Sequence, residues 1–206
     1  MEGSSQVAAA FGIGIALAAA PGPVQAVVLS ESVSGGVGRG LRAVAGVHLT
    51  FAALLAALAL GLSLVSPHGV ILRALQVAGG VLLLWLAWDG FRPTERTDDD
   101  PGGRHRLPPA IRGMLAILLN PGGWLFLGAV ASPLLATASQ RSGTETALLA
   151  ALALVLGAAL GDVALAFAGG LGLRRAGAGI GRLVRMALAA ILAALGVWLL
   201  IRGAAP

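Results

Sequence analysis

Cysteine, lysine and tyrosine are absent from this chain of 206 residues, and charge of either sign is scarce. Without cysteine there is no disulfide, no thiol nucleophile and no thiolate metal site. Without lysine, all fourteen basic side chains are arginine. Charged residues make up only 11% of the chain, against roughly a quarter in a soluble domain. Such a chain cannot cover a water-facing surface. What it has instead is long apolar runs: 57% of residues are hydrophobic and the mean hydropathy is +0.90. This composition predicts an all-α integral membrane protein.

The net charge of +5 and pI of about 11.6 do not point to nucleic acid, because the arginines fall between apolar spans rather than on one face. The N-terminal Met1 to Gln6 carries Glu2 and no basic residue. A secretory signal needs a basic n-region, so the first apolar stretch is expected to stay as a membrane helix.

A membrane span needs about 20 apolar residues. Six are predicted, near Val7–Leu29, Leu41–Val65, Val70–Phe91, Ile111–Ala136, Ala147–Leu171 and Val184–Ile201. One connector, 92–110, is long and polar and contains Asp98-Asp99-Asp100. It divides the chain into a first three-helix repeat, 1–91, and a second, 111–206. Three is odd, so the second half enters the membrane from the opposite side and the repeats are inverted. Eleven of the fourteen arginines lie on the side of that connector. The positive-inside rule therefore places 92–110 in the cytoplasm and both termini outside. Trp85 and Trp88 fit an aromatic belt at that face.

Two spans are interrupted in matching places, by Pro21-Gly22-Pro23 and by Asn120-Pro121-Gly122-Gly123. Proline inside a helix removes a hydrogen bond and adds a ring clash. In hydrocarbon, the freed backbone groups are tolerable only around a protein-lined cavity. Each break lies nine or ten residues from the expected cytoplasmic end. At about 1.5 Å per residue that is roughly halfway through a core of roughly 30 Å. Paired breaks at the midplane point to a transporter's substrate site. Candidate substrate-binding residues are Pro21, Gly22, Pro23, Val24, Gln25, Asn120, Pro121 and Gly122. The half-helix N-terminus at Val24 and Gln25 suits a substrate carboxylate.

Asp162 is the sharpest polar candidate. It stands mid-span on a stripe with Ala158, Ala166 and Gly169, so it faces the bundle rather than lipid. A carboxyl group at that depth is a functional candidate by default, here for proton coupling. Its bland alternative is a neutral acid bonded to a neighbouring helix. His48 is the second coupling candidate, although a lone histidine is more often an interhelical donor. Glu31 reads as a solvated residue near the cytoplasmic interface, with a gate or a contact to a substrate amine as its minority reading, Asp89 as the partner of an arginine there, and Asp98–Asp100 as a solvated loop. No metal site or cofactor is implied. Each span carries at most one acid and no serine–histidine motif is present, which argues against an intramembrane enzyme. A mere scaffold would not need paired breaks.

Pro21-Gly22-Pro23, Gly36-x-x-x-Gly40 and Gly46, then Gln76 through Gly79, Leu83, Trp85 and Trp88 to Arg92, then Asn120-Pro121 with Trp124 and Phe126, together resemble the LysE/RhtB family of amino-acid exporters. The resemblance covers most of the chain. It implies a secondary transporter in the cytoplasmic (inner) membrane that exports an amino acid or related metabolite, with protons and membrane lipids as its other partners and room for a homodimer. Gly122 stands where that family usually has lysine, and tyrosine is missing near Leu82. Those departures keep open a cation exporter or a lipid-export accessory role within the wider superfamily.

Overall fold

The computed structural model describes residues 2–20, 22–61, 69–91, 107–172 and 178–204. Among them every regular element is helical. In chain order these are α1 (Glu2–Ala19), α2 (Pro23–Gly35), α3 (Val37–Ala59), α4 (Gly69–Phe91), α5 (Pro109–Leu118) and α6 (Pro121–Phe126). A π-helical turn, Leu127–Ala131, leads into α7 (Ser132–Phe167); a second, Ala168–Gly172, follows it, and α8 (Ala178–Ala204) closes the chain.

By length and composition, three helices can cross a membrane: Val37–Ala59, Pro121–Gly172 and Met186–Ala204. A fourth arises if Gly3–Ala19 and Pro23–Gly35, bent by 65° at their break, count as one span. The stretch Pro121–Gly172 runs to 52 residues, or about 78 Å if straight, more than twice a hydrocarbon core of roughly 30 Å. It is not straight: Gly143 leaves the helical region (φ 85°, ψ 165°) and divides α7 into 132–142 and 144–167. Gly36 has nearly the same backbone (φ 80°, ψ 179°) between α2 and α3. Positive φ of this kind is cheap only for glycine, and in each half it marks the place where a broken helix hands over to the next one.

Helix ends differ from expectation in detail. The first helix starts at Glu2 and, beyond its break, runs to Gly35 rather than Leu29. The second ends at Ala59 rather than Val65, where Leu60 and Gly61 (φ 81°) turn the chain. The polar connector from 92 to 106 lies outside the described residues, as do Pro21 and the Asp98–Asp100 run; so does the side chain of Asp89.

The packing is reciprocal between the halves. Helix α1 lies along α7, α3 along α5, and α4 along α8. Glycine permits each approach. A Cβ on Gly14 would strike the backbone of Leu154, and one on Gly157 that of Phe11. Gly46 and Gly113 stand likewise against the backbones of Ala110 and Ala43, and Gly80 and Gly196 against each other. Such close approach is how membrane helices gain packing energy without a hydrophobic drive.

On α7 small residues fill much of the inner face beside the buried Leu135 and Leu154, and large residues cover much of the outer face. On α7, Ala147, Ala150, Ala158 and Asp162 are buried, while Leu149, Leu152, Leu156 and Leu160 are each more than half exposed. A stripe of exposed leucine at i, i+3, i+4 spacing would be a liability in water. Against lipid tails it is the ordinary outer surface.

Candidate functional site

The first break is built from extended backbone and proline. Gly22 is extended (φ −167°), Pro23 opens α2, and the first backbone hydrogen bond of that helix runs from Ala26 N–H to Gly22 O at 3.0 Å. Pro23 has no N–H, so the amides of Val24 and Gln25 are the helix's unspent donors. The second break is capped differently. α5 ends at Leu118, and Asn120 turns the chain with its side-chain Oδ1 accepting from Gly122 N–H at 3.0 Å. Trp124 Nε1–H donates to Leu118 O at 2.7 Å, taking up one carbonyl at the end of α5. The Gly122 amide is thus occupied inside the protein.

Both breaks open onto one cavity of about 220 Å³. Of the eight residues expected to bind substrate, Gly22, Pro23, Val24, Gln25, Asn120 and Gly122 line it. Pro121 is buried but does not line it, and Pro21 is outside the described residues. The walls are mainly apolar, with Leu17, Val47, Phe51 and Phe126 among them.

His48 and Asp162 complete the lining, and they meet: Nε2 of His48 and Oδ2 of Asp162 share a hydrogen bond of 2.9 Å. Both residues are buried, at 8% and 2% exposure. They arrive from opposite halves because α3 packs against α7. Sequence alone left them as two separate candidates. A gap of 114 residues gives no local signal for the pairing. Two atoms of this pair, His48 Nδ1 and Asp162 Oδ1, are buried and have no hydrogen-bond partner among the described residues. Such atoms cost about 1–3 kcal/mol each when left unmade, and in native proteins they call for an explanation. Among the described residues no cluster of three or more potential metal ligands is found.

A second charged group gathers around Glu31, which the sequence reads chiefly as solvated. Glu31 is not solvated but 3% exposed. Its Oε2 accepts from Arg39 Nε, and its Oε1 from Arg112 Nη1 at 2.9 Å. Arg112, itself 4% exposed, also donates through Nε to Leu107 O at 3.1 Å and sits 5.0 Å from the Trp85 ring centroid. Sequence reasoning counted both arginines only towards topology. The available signal was only that an acid closing an apolar run needs a cation; nothing local says which arginine supplies it.

The model of LysE type translocators matches residues 15–203, most of the chain. The chain belongs to the LysE family. No curated protein and no solved structure matches it. Membership establishes a membrane translocator of small molecules. Translocation of this kind needs a solute-sized space between helices and groups that respond to what enters it. In this translocator the His48–Asp162 pair lies on the wall of the cavity that both breaks line.

Proposed function

We propose that the protein is a proton-coupled secondary exporter of an amino acid or a similarly small metabolite, working by alternating access of two inverted three-helix repeats. The observation that carries this reading is convergence: two helix breaks from different halves and one buried acid–histidine pair line the same cavity. The cross-half helix pairs and the matched turns at Gly36 and Gly143 support six spans. These would be α1 with α2, α3, α4, α5 through residue 142, 144–172 and α8. The count of arginines supports both termini outside.

In this mechanism the substrate carboxylate takes the free amides of Val24 and Gln25 at the α2 N-terminus. Its body packs against Phe51 and Phe126. His48 and Asp162 bind a proton when the cavity faces outward and release it when it faces inward. A cavity of about 220 Å³ is smaller than the roughly 300–1,000 Å³ that drug-sized ligands need, which favours a metabolite over a lipid. The test is purified protein in liposomes under an imposed pH gradient, with a labelled amino-acid mixture inside. Labelled solute leaving faster with the gradient than without it is the expected result. Release indifferent to the gradient would remove proton coupling, and no release at all would remove the amino acid.

A further inference from the structure

The Glu31 cluster lies to one side of the cavity along all three of its helices. On α2, Glu31 is six residues beyond the cavity-lining Gln25, about 9 Å along the axis. On α5, Arg112 precedes the cavity-lining Ile117 by five residues, about 7.5 Å. On α3, Arg39 precedes Val47 by eight, about 12 Å. All three therefore stand on the arginine-rich side of the cavity, and they tie together α2, α3 and α5. Two of these, α2 and α5, are the half-helices that end at the two breaks.

We propose that Glu31, Arg39 and Arg112 are the inner gate of the transport path. In this conformation they close the cavity to the arginine-rich face. They must part for solute to enter from it.

Burial of an ion cluster is weak evidence for stability, because an apolar set of similar volume would hold three helices together as well or better. Ionic closure differs from apolar closure when it opens. Parted at the membrane surface, each charge is taken up by water, so the open and closed states can lie within a few kcal/mol of one another. The side chains are graded in the same sense. Glu31 and Arg112 are 4% and 5% exposed, and Arg39 is 29% exposed on the outer flank. The breaks give the gate its hinges: neither α2 nor α5 has an unbroken helical ladder across the cavity, so each can tilt without bending a continuous helix.

The gate rests on the exporter reading, but access to the cavity is measured without any substrate, so each can fail alone. The chain has no cysteine, which makes Ala18→Cys, on the cavity wall, a unique reporter. An impermeant maleimide is applied to right-side-out and to inside-out vesicles. In the otherwise wild-type chain, labelling from the arginine-rich face should be at least about tenfold slower than from the other. Glu31→Gln should raise the slow rate at least about tenfold, and the exchange Glu31→Arg with Arg112→Glu should bring it back down. Equal labelling from both faces in the parent would overturn the gate. So would a slow rate unmoved by Glu31→Gln, or an exchanged pair as open as Glu31→Gln. If Glu31→Gln does not fold, Arg39→Gln replaces it: its side chain is the most exposed of the three, and an unmoved rate there overturns the gate equally.

Discussion

Two groups of buried charge lie within one molecule and are built on opposite plans. Around Glu31, both carboxylate oxygens accept from arginine, one arginine is held further by a backbone carbonyl, and its guanidinium rests on an indole. Around Asp162, one oxygen meets one imidazole nitrogen, and the remaining oxygen and nitrogen have no partner. The first group spends its hydrogen-bonding capacity on protein. The second leaves part of it unspent among the described residues. Charge that is fully partnered holds helices in place until the whole cluster parts, as the proposed gate must; charge that is half partnered can take another partner at little structural cost. The difference teaches that burial and pairing do not by themselves mark the working site.

The sharpest way to break this comparison is to remove a partner from the satisfied group. Arg112→Ala leaves Glu31 buried with Arg39 alone and strips the contact with Trp85. Truncating one member of a buried ion cluster typically costs about 3–5 kcal/mol. Thermal unfolding in detergent should therefore show a large drop in midpoint, and the yield of folded protein should fall. A midpoint near that of the parent would mean that the cluster is not a structural tie, and the contrast with Asp162 would lose its basis.

Much of the architecture is legible from residue order, because membrane helices declare themselves by apolar length and prolines declare where they stop. Both breaks sit where Pro23 and Pro121 put them. Pairing across halves is not legible. The contacts of Gly46 with the backbone of Ala110 and of His48 with Asp162 depend on how α3 meets α5 and α7, and a single sequence carries no record of such distant neighbours. Nor is the fate of Glu31 legible. Its position near a helix end resembles that of a solvated acid, and only the arrival of Arg112 from 81 residues away makes it a buried one. At the second break the sequence offers Asn120 only as a substrate-binding candidate, and that its Oδ1 caps Gly122 is not legible either.

That cap sharpens the comparison at intermediate size. α6 has only six residues before its π-helical turn, so its start depends on few hydrogen bonds. Asn120→Ala removes the side-chain acceptor and returns the Gly122 amide to the cavity. Loss of such a cap costs about 1 kcal/mol, within a range of about 0.5–2, well below the cost at Arg112. The same unfolding measurement checks it. A loss as large as that of Arg112→Ala would show that the second break is held as rigidly as the gate.

The smallest effect on the fold, and the most telling, is expected at Asp162. Asn is nearly the same size, and its side-chain oxygen can accept from His48 Nε2 as the carboxylate oxygen does. The amide nitrogen takes the place of Oδ1, an atom with no protein partner to lose. Interhelical hydrogen bonds in membranes average about 0.6 kcal/mol, so Asp162→Asn should shift stability by less than about 1 kcal/mol. Function should not be spared. An amide cannot ionise, so the pair loses its carboxylate proton site, and gradient-driven efflux from liposomes should fall to the background of empty vesicles. Counterflow, in which one solute molecule exchanges for another, needs no net proton movement and should persist. A variant as unstable as Arg112→Ala would place Asp162 among the structural ties. One that still answers to the pH gradient would leave His48 as the group that carries the proton.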